Sequence, residues 1–127
     1  MVAAPAWAGS PNRAVAYLVG GAYLAAGIIG GAVALGAAVA PGRGDDSAGL
    51  GAGWVIAYIL LGVGLVVAAA RGRAPHANSI AGAAYLVASV PLVAAGICDG
   101  MFSLDAADGF LHLCSAALLL GFGRTQN

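Results

Sequence analysis

From Ala14 to Ala40 the chain carries no charged side chain. A helix needs about 20 apolar residues to cross a bilayer, and this run exceeds that. Three further apolar stretches follow, separated by short polar patches. Only 8% of the residues are charged and 61% are hydrophobic, with a mean hydropathy of +0.94. Soluble domains carry about 25% charged residues, so too little charge is present to clothe a water-facing surface. The chain therefore reads as an integral membrane protein. Four spans use ~80 residues and leave short connections. The expected fold is all-α: four transmembrane helices of the inner (plasma) membrane in one domain, residues 13–123, between a leader at 1–12 and a polar tail at 124–127.

The expected spans are about 13–40, 53–70, 79–97 and 106–122. The leader is broken by Pro5 and Pro11 and holds Trp7, a residue type enriched at headgroup level. It has no basic n-region, so a cleavable signal is not expected. Ser10-Pro11-Asn12 offers cap chemistry for the first span. That span is Gly-rich, with Gly20, Gly27 and Gly31 among its small residues. Gly27 and Gly31 form a GxxxG spacing that lets helices approach closely in lipid. Contacts within the chain and a seam to a second copy are both open to it.

Pro41 to Ser47 is a turn-rich connection. Trp54 opens the second span as an interfacial anchor. Residues 71–78 read as a second connection ending in Asn78, a cap for the third span. Pro91 lies inside that span and predicts a kink near Ser89.

Basic residues set orientation. Arg13, Arg71, Arg73 and Arg124 fall at one side of a four-span hairpin pair. Arg43 and all five aspartates fall at the other. Both termini should then be cytoplasmic. The halves also resemble each other. Gly20-Gly21-Ala22-Tyr23-Leu24 aligns with Gly82-Ala83-Ala84-Tyr85-Leu86, and Trp54 to Gly62 aligns with Asp108 to Ala116, placing Tyr58 opposite His112. Two spans per half make these parallel repeats. The matched faces around Gly20–Gly27 and Gly82–Ser89 lead us to expect the first and third spans against each other.

Ser10-Pro11-Asn12-Arg13 leads into Gly20, Tyr23-Leu24 and Gly27. Asn78 precedes Gly82 and Tyr85-Leu86, and Asp108-x-x-x-His112 opens the last span. Over residues 10 to 123 this pattern resembles the actinobacterial four-helix membrane family catalogued as domain of unknown function 4383. The all-Arg, all-Asp, Gly-rich composition matches a GC-rich genome. The resemblance implies a fold and a membrane location, and no activity. Relatives often carry a histidine motif on the second span. Tyr58 stands there in this chain, which argues against a family-wide two-histidine chemistry.

On a helix Asp105, Asp108, His112 and Ser115 share one face. Asp105 can cap, with Asp108 completing a capping box. His112 lies about 10 Å deeper at 1.5 Å per residue. Ionisable groups at such depth are candidates for function, or for interhelical hydrogen bonds worth about 0.6–2 kcal/mol. Asp108 and His112 form the candidate interior pair, with Asp105, Ser115, Tyr58 and Tyr85 in support. His76 and His112 fall near opposite faces of a ~30 Å core, so one haem iron cannot take both. One histidine with nearby aspartates supplies too few metal ligands. Cys98 and Cys114 read as small apolar thiols.

No catalytic set, cofactor or metal site is expected, and zero net charge excludes a nucleic-acid footprint. The first functional reading is an accessory or scaffolding subunit of a larger membrane assembly, with the bilayer and other subunits, or further copies, as partners. A second is an oligomeric transporter or channel protomer using Asp108 and His112. A third is a redox or lipid-associated enzyme component.

Overall fold

The computed structural model describes residues 10–38, 48–99 and 104–124, and the backbone alone of 37, 38, 48–52, 92, 95–99 and 104–108. Trp7, the connection holding Arg43, and the side chains of Cys98, Asp99, Asp105 and Asp108 lie outside the described residues. The described residues form four helices and no strand: α1 (Pro11–Ala38), α2 (Ala48–Ala70), α3 (Ala74–Asp99) and α4 (Leu104–Gly123).

The helix ends follow from local chemistry. The Ser10 carbonyl accepts from the amides of Arg13 at 3.0 Å and Ala14 at 3.1 Å. Pro11 takes the first helical position, where its missing N–H is no loss. α2 ends in a Schellman turn: Gly72 N–H donates to Ala69 O at 3.2 Å and Arg73 N–H to Ala68 O at 2.8 Å. That turn needs a left-handed residue, and Gly72 has φ 72°.

Three expectations change here. The connection after α2 is three residues long, not 71–78, because Pro75 sits in the first turn of α3, where a proline is tolerated. Asn78 is thus inside α3 and does not cap it. α4 begins at Leu104, which puts Asp105 within the first turn instead of before it. α3 continues as helix through Pro91.

The stretches Pro11–Gly36 and Gly53–Ala70 are long and apolar enough to cross a membrane, and most of their residues are not buried. α1 packs chiefly on α2 and α3 chiefly on α4. Thinner contacts join α2 to α3 and α1 to α3 and α4. This overturns the expectation that the glycine faces of α1 and α3 meet. A Cβ at Gly20 would lie 2.9 Å from Leu65 Cβ, and one at Gly27 would lie 2.7 Å from Ile59 Cγ1, both on α2. Gly31 likewise faces Val55, while a Cβ at Gly82 would lie 2.8 Å from Leu120 Cγ on α4. Small residues let helices close up on a neighbour, and here the neighbour is the other helix of the same hairpin.

Burial repeats in register. α1 buries Asn12, Ala16, Val19, Gly20, Tyr23 and Gly27. At the same spacing α3 buries Ala74, Asn78, Ala81, Gly82, Tyr85 and Ser89. Gly20 meets Leu65 and Val66, and Gly82 meets Leu119 and Leu120. Those leucines stand equally far beyond Tyr58 and His112 in the sequence.

Candidate functional site

Each helix sends one ring to the middle of the bundle: Tyr23 from α1, Tyr58 from α2, Tyr85 from α3 and His112 from α4. Tyr23 and Tyr85 stand one position-set beyond Gly20 and Gly82, so the glycine contacts that seat each hairpin also set the depth of its tyrosine. That depth is about 18 Å along α1 from Pro11 at 1.5 Å per residue.

The Tyr23 and Tyr85 rings stack with centroids 4.6 Å apart, while Tyr58 meets Tyr23 edge-on at 5.2 Å. The imidazole of His112 lies 5.3 Å from Tyr85, 5.8 Å from Tyr23 and 5.8 Å from Tyr58. Trp54 closes one side, 6.3 Å from both Tyr58 and His112. These separations fit stacked and edge-to-face aromatic pairs, each worth about 0.5–1.5 kcal/mol beyond area burial. His112 is 1% exposed, so it points into the bundle and not outward.

Polar tips at this level meet one another. The Tyr23 hydroxyl donates to Ser115 Oγ at 3.2 Å, joining α1 to α4. The Tyr85 hydroxyl is buried without a hydrogen-bond partner among the described residues. Beside the cluster an apolar cavity of about 220 Å³ opens between α1 and α4. It is lined by Leu18, Ala22, Ala26, Leu111 and Leu118, with Tyr23, Tyr58 and Ser115.

A second polar contact sits at the end of the bundle where α2 turns into α3. Asn78 Nδ2 donates to the Asn12 carbonyl at 3.0 Å and to Asn12 Oδ1 at 3.1 Å. Both side chains are 0% exposed, and Asn78 Oδ1 has no partner among the described residues. Arg13 Nε donates to the Ala69 carbonyl at 3.0 Å, holding the start of α1 to the end of α2.

Of the residues singled out from sequence, the structure brings together His112, Ser115, Tyr58 and Tyr85. Asp105 and Asp108 lie in the first two turns of α4, and their side chains are outside the described residues. His76 is exposed in the first turn of α3, remote from His112. Cys114 is a free, exposed thiol. Among the described residues no group of three or more His, Cys, Asp or Glu could hold a metal.

Sequence reasoning missed Tyr23 and Trp54 as members of the cluster. The signal was present in the aligned halves, which pair Tyr23 with Tyr85. A tyrosine inside an apolar helix otherwise reads as core, and Trp54 read as an interfacial anchor. It is half-exposed at 45% yet also touches the cluster. No protein-family model, curated protein or solved structure matches this chain.

Proposed function

We propose that the chain is a multi-pass protein of the plasma (inner) membrane that serves as an accessory or scaffolding subunit of a larger membrane assembly. In this reading its four helices all span, the halves are two parallel hairpin repeats, and both termini are cytoplasmic. The observation that carries it is the contrast between outside and inside. Leu18, Ile29, Val33, Leu35, Val87 and Val90 are each at least 60% exposed. A surface of that kind is suited to lipid and to neighbouring helices. Inside, the rings of Tyr23, Tyr58, Tyr85 and His112 fill one another's space. The matched burial of α1 and α3 supports the repeats. Four arginines at one end against Arg43 and five aspartates at the other support the orientation. The likeness to the four-helix membrane family stands with this proposal.

Purification from native membranes in a mild detergent, followed by mass spectrometry, tests the role. A stoichiometric partner protein is expected. A lone monomer that retains a measurable activity would sink the proposal. Topology is tested by single cysteines at Ser47 and His76, with Cys98 and Cys114 removed. An impermeant reagent should label position 47 in intact cells and spare position 76.

A transporter or channel protomer is the second reading, favoured by one observation: an imidazole buried at the centre of an apolar bundle. Under that reading His112→Gln abolishes flux in proteoliposomes while the protein folds normally. Under ours it leaves assembly intact.

A further inference from the structure

Two depressions on the α2–α3 face share residues and differ in chemistry. The first is a hollow of about 670 Å³ at the turn, lined by Gly72, Arg73, Pro75, His76, Ala77 and Ile80. The second is a groove of about 280 Å³ running on from it, bounded by Leu60, Gly64, Leu65, Ile80, Ala81 and Ala84 and also touching Ala77. Ala77 and Ile80 line both, so the two adjoin along the α2–α3 seam and together make a surface channel. Its open end is basic: Arg73 and His76 are exposed, and Arg71, Arg13 and Arg124 lie at the same end of the bundle. Every aspartate of the chain falls at the other end in sequence order. The remainder is apolar and floored by small residues.

The channel exists because α2 and α3 belong to different hairpins and pack together less closely than either does with its own partner. Glycine and alanine at 64, 77, 81 and 84 leave that seam unfilled. A Cβ at Gly64 would meet nothing within 4 Å. From His76 to Ala84 the groove runs about 12 Å along the helix axis at 1.5 Å per residue.

We propose that this channel holds an anionic phospholipid, its phosphate at Arg73 and His76 and one acyl chain along Gly64, Ala77, Ala81 and Ala84. The assignment rests on the membrane reading given above. Basic pockets between helices at a cytoplasmic face select anionic headgroups. An occupant that is anionic at one end and hydrocarbon along the rest matches both parts of the channel. A free phosphate matches only the first.

The test uses the full-length protein in a neutral detergent. It is titrated with phosphatidylglycerol, with phosphatidylcholine of the same chains, and with inorganic phosphate, and read by melting temperature and by lipid retained in native mass spectrometry. Phosphatidylglycerol is expected to raise the melting temperature and stay bound; the other two do neither. Arg73→Ala should weaken its retention about five-fold. Gly64→Leu should fill the groove and remove the stabilisation without changing the lipid-free melting temperature. Equal stabilisation by phosphatidylcholine, reproduction of the effect by phosphate alone, or full retention in both variants overturns the site. Alkaline carbonate extraction of native membranes reads the membrane assignment separately. A chain released by carbonate loses that assignment and the lipid site together. A carbonate-resistant chain indifferent to headgroup charge loses the site alone.

Discussion

The two hairpins are seated in the same register and both bring backbones close, but they differ in the polar side chains they carry. In α3–α4 a Cβ at Gly123 would lie 2.8 Å from the Ser79 amide, and one at Gly82 would lie 3.0 Å from the Leu120 amide. In α1–α2 the backbones themselves come close: a Cβ at Gly62 would lie 2.7 Å from the Gly20 carbonyl oxygen and 2.8 Å from the Leu24 amide. In α3–α4 the positions corresponding to Gly27, Gly62, Leu61 and Tyr58 are Ser89, Ala116, Ser115 and His112. Among the described residues the buried Asn, Ser and His side chains are Asn12, Asn78, Ser89, His112 and Ser115, and of these only Asn12 belongs to the first hairpin. Close glycine contacts gain dispersion and allow little variation. Side-chain hydrogen bonds tie one hairpin to the other. Both hairpins are therefore sterically exacting at their glycines, and the second carries most of the polar side chains that lock the bundle together.

That comparison is tested most directly at Gly62. Gly62→Leu should drive side-chain atoms into the α1 backbone, where the neighbour cannot swing away. A loss at or beyond the usual 1–3 kcal/mol of overpacking is expected, read as collapse of folded yield in detergent. Gly27→Leu and Gly82→Leu should follow, with lowered melting temperatures. Should Gly62→Leu melt like the wild type, the close approach of α1 and α2 is wrong.

His112→Leu comes next. It keeps bulk but removes the imidazole from a site shared by four helices, with an expected loss of about 1–2 kcal/mol. His112→Gln should recover much of that. Equal melting of His112→Leu and wild type would make the ring cluster energetically idle.

Asn78→Ala gives α3 the residue that α1 has at Ala16. It removes the bond to Asn12 and should cost about 0.6–1.7 kcal/mol in thermal unfolding. Because it acts between hairpins, it should be additive with Gly62→Leu within about 0.5 kcal/mol; strong coupling would show that the hairpins do not pack as separate units. At the small end, Cys114→Ser on the exposed face of α4 should change stability by less than about 0.5 kcal/mol.

Much of this arrangement was legible in the sequence, and the misreadings have physical causes. The number of helices and the end of α2 at Ala70 follow from uncharged runs and the Arg71-Gly72-Arg73 turn. The shared face of His112 and Ser115 follows from helical spacing. The partner of each glycine stripe was not legible. An apolar helix offers small residues on several faces, and their spacing alone does not say which neighbour each face meets. Pro75 and Asn78 read as connection and cap because both residue types also favour turns. Instead, Pro75 occupies a first turn and Asn78 is turned inward by the amide of another helix. The tyrosine cluster was half legible, since the aligned halves paired its members without saying that the pairs would meet.

The Asn12–Asn78 contact also bears on biosynthesis. A ribosome delivers α1 and α2, with all of their glycine contacts, before Asn78 has been made, since the bonded pair stands 66 residues apart. The first hairpin can close on itself as it emerges. The bonds that the Asn12 carbonyl and Oδ1 accept from Asn78 form only once α3 has been made. They cannot hold the first hairpin while it stands alone. They are made at the very edge of the bundle, beside the three-residue turn that delivers α3. The first helix of the second hairpin is thus tied to the start of the chain's first helix before α4 is added.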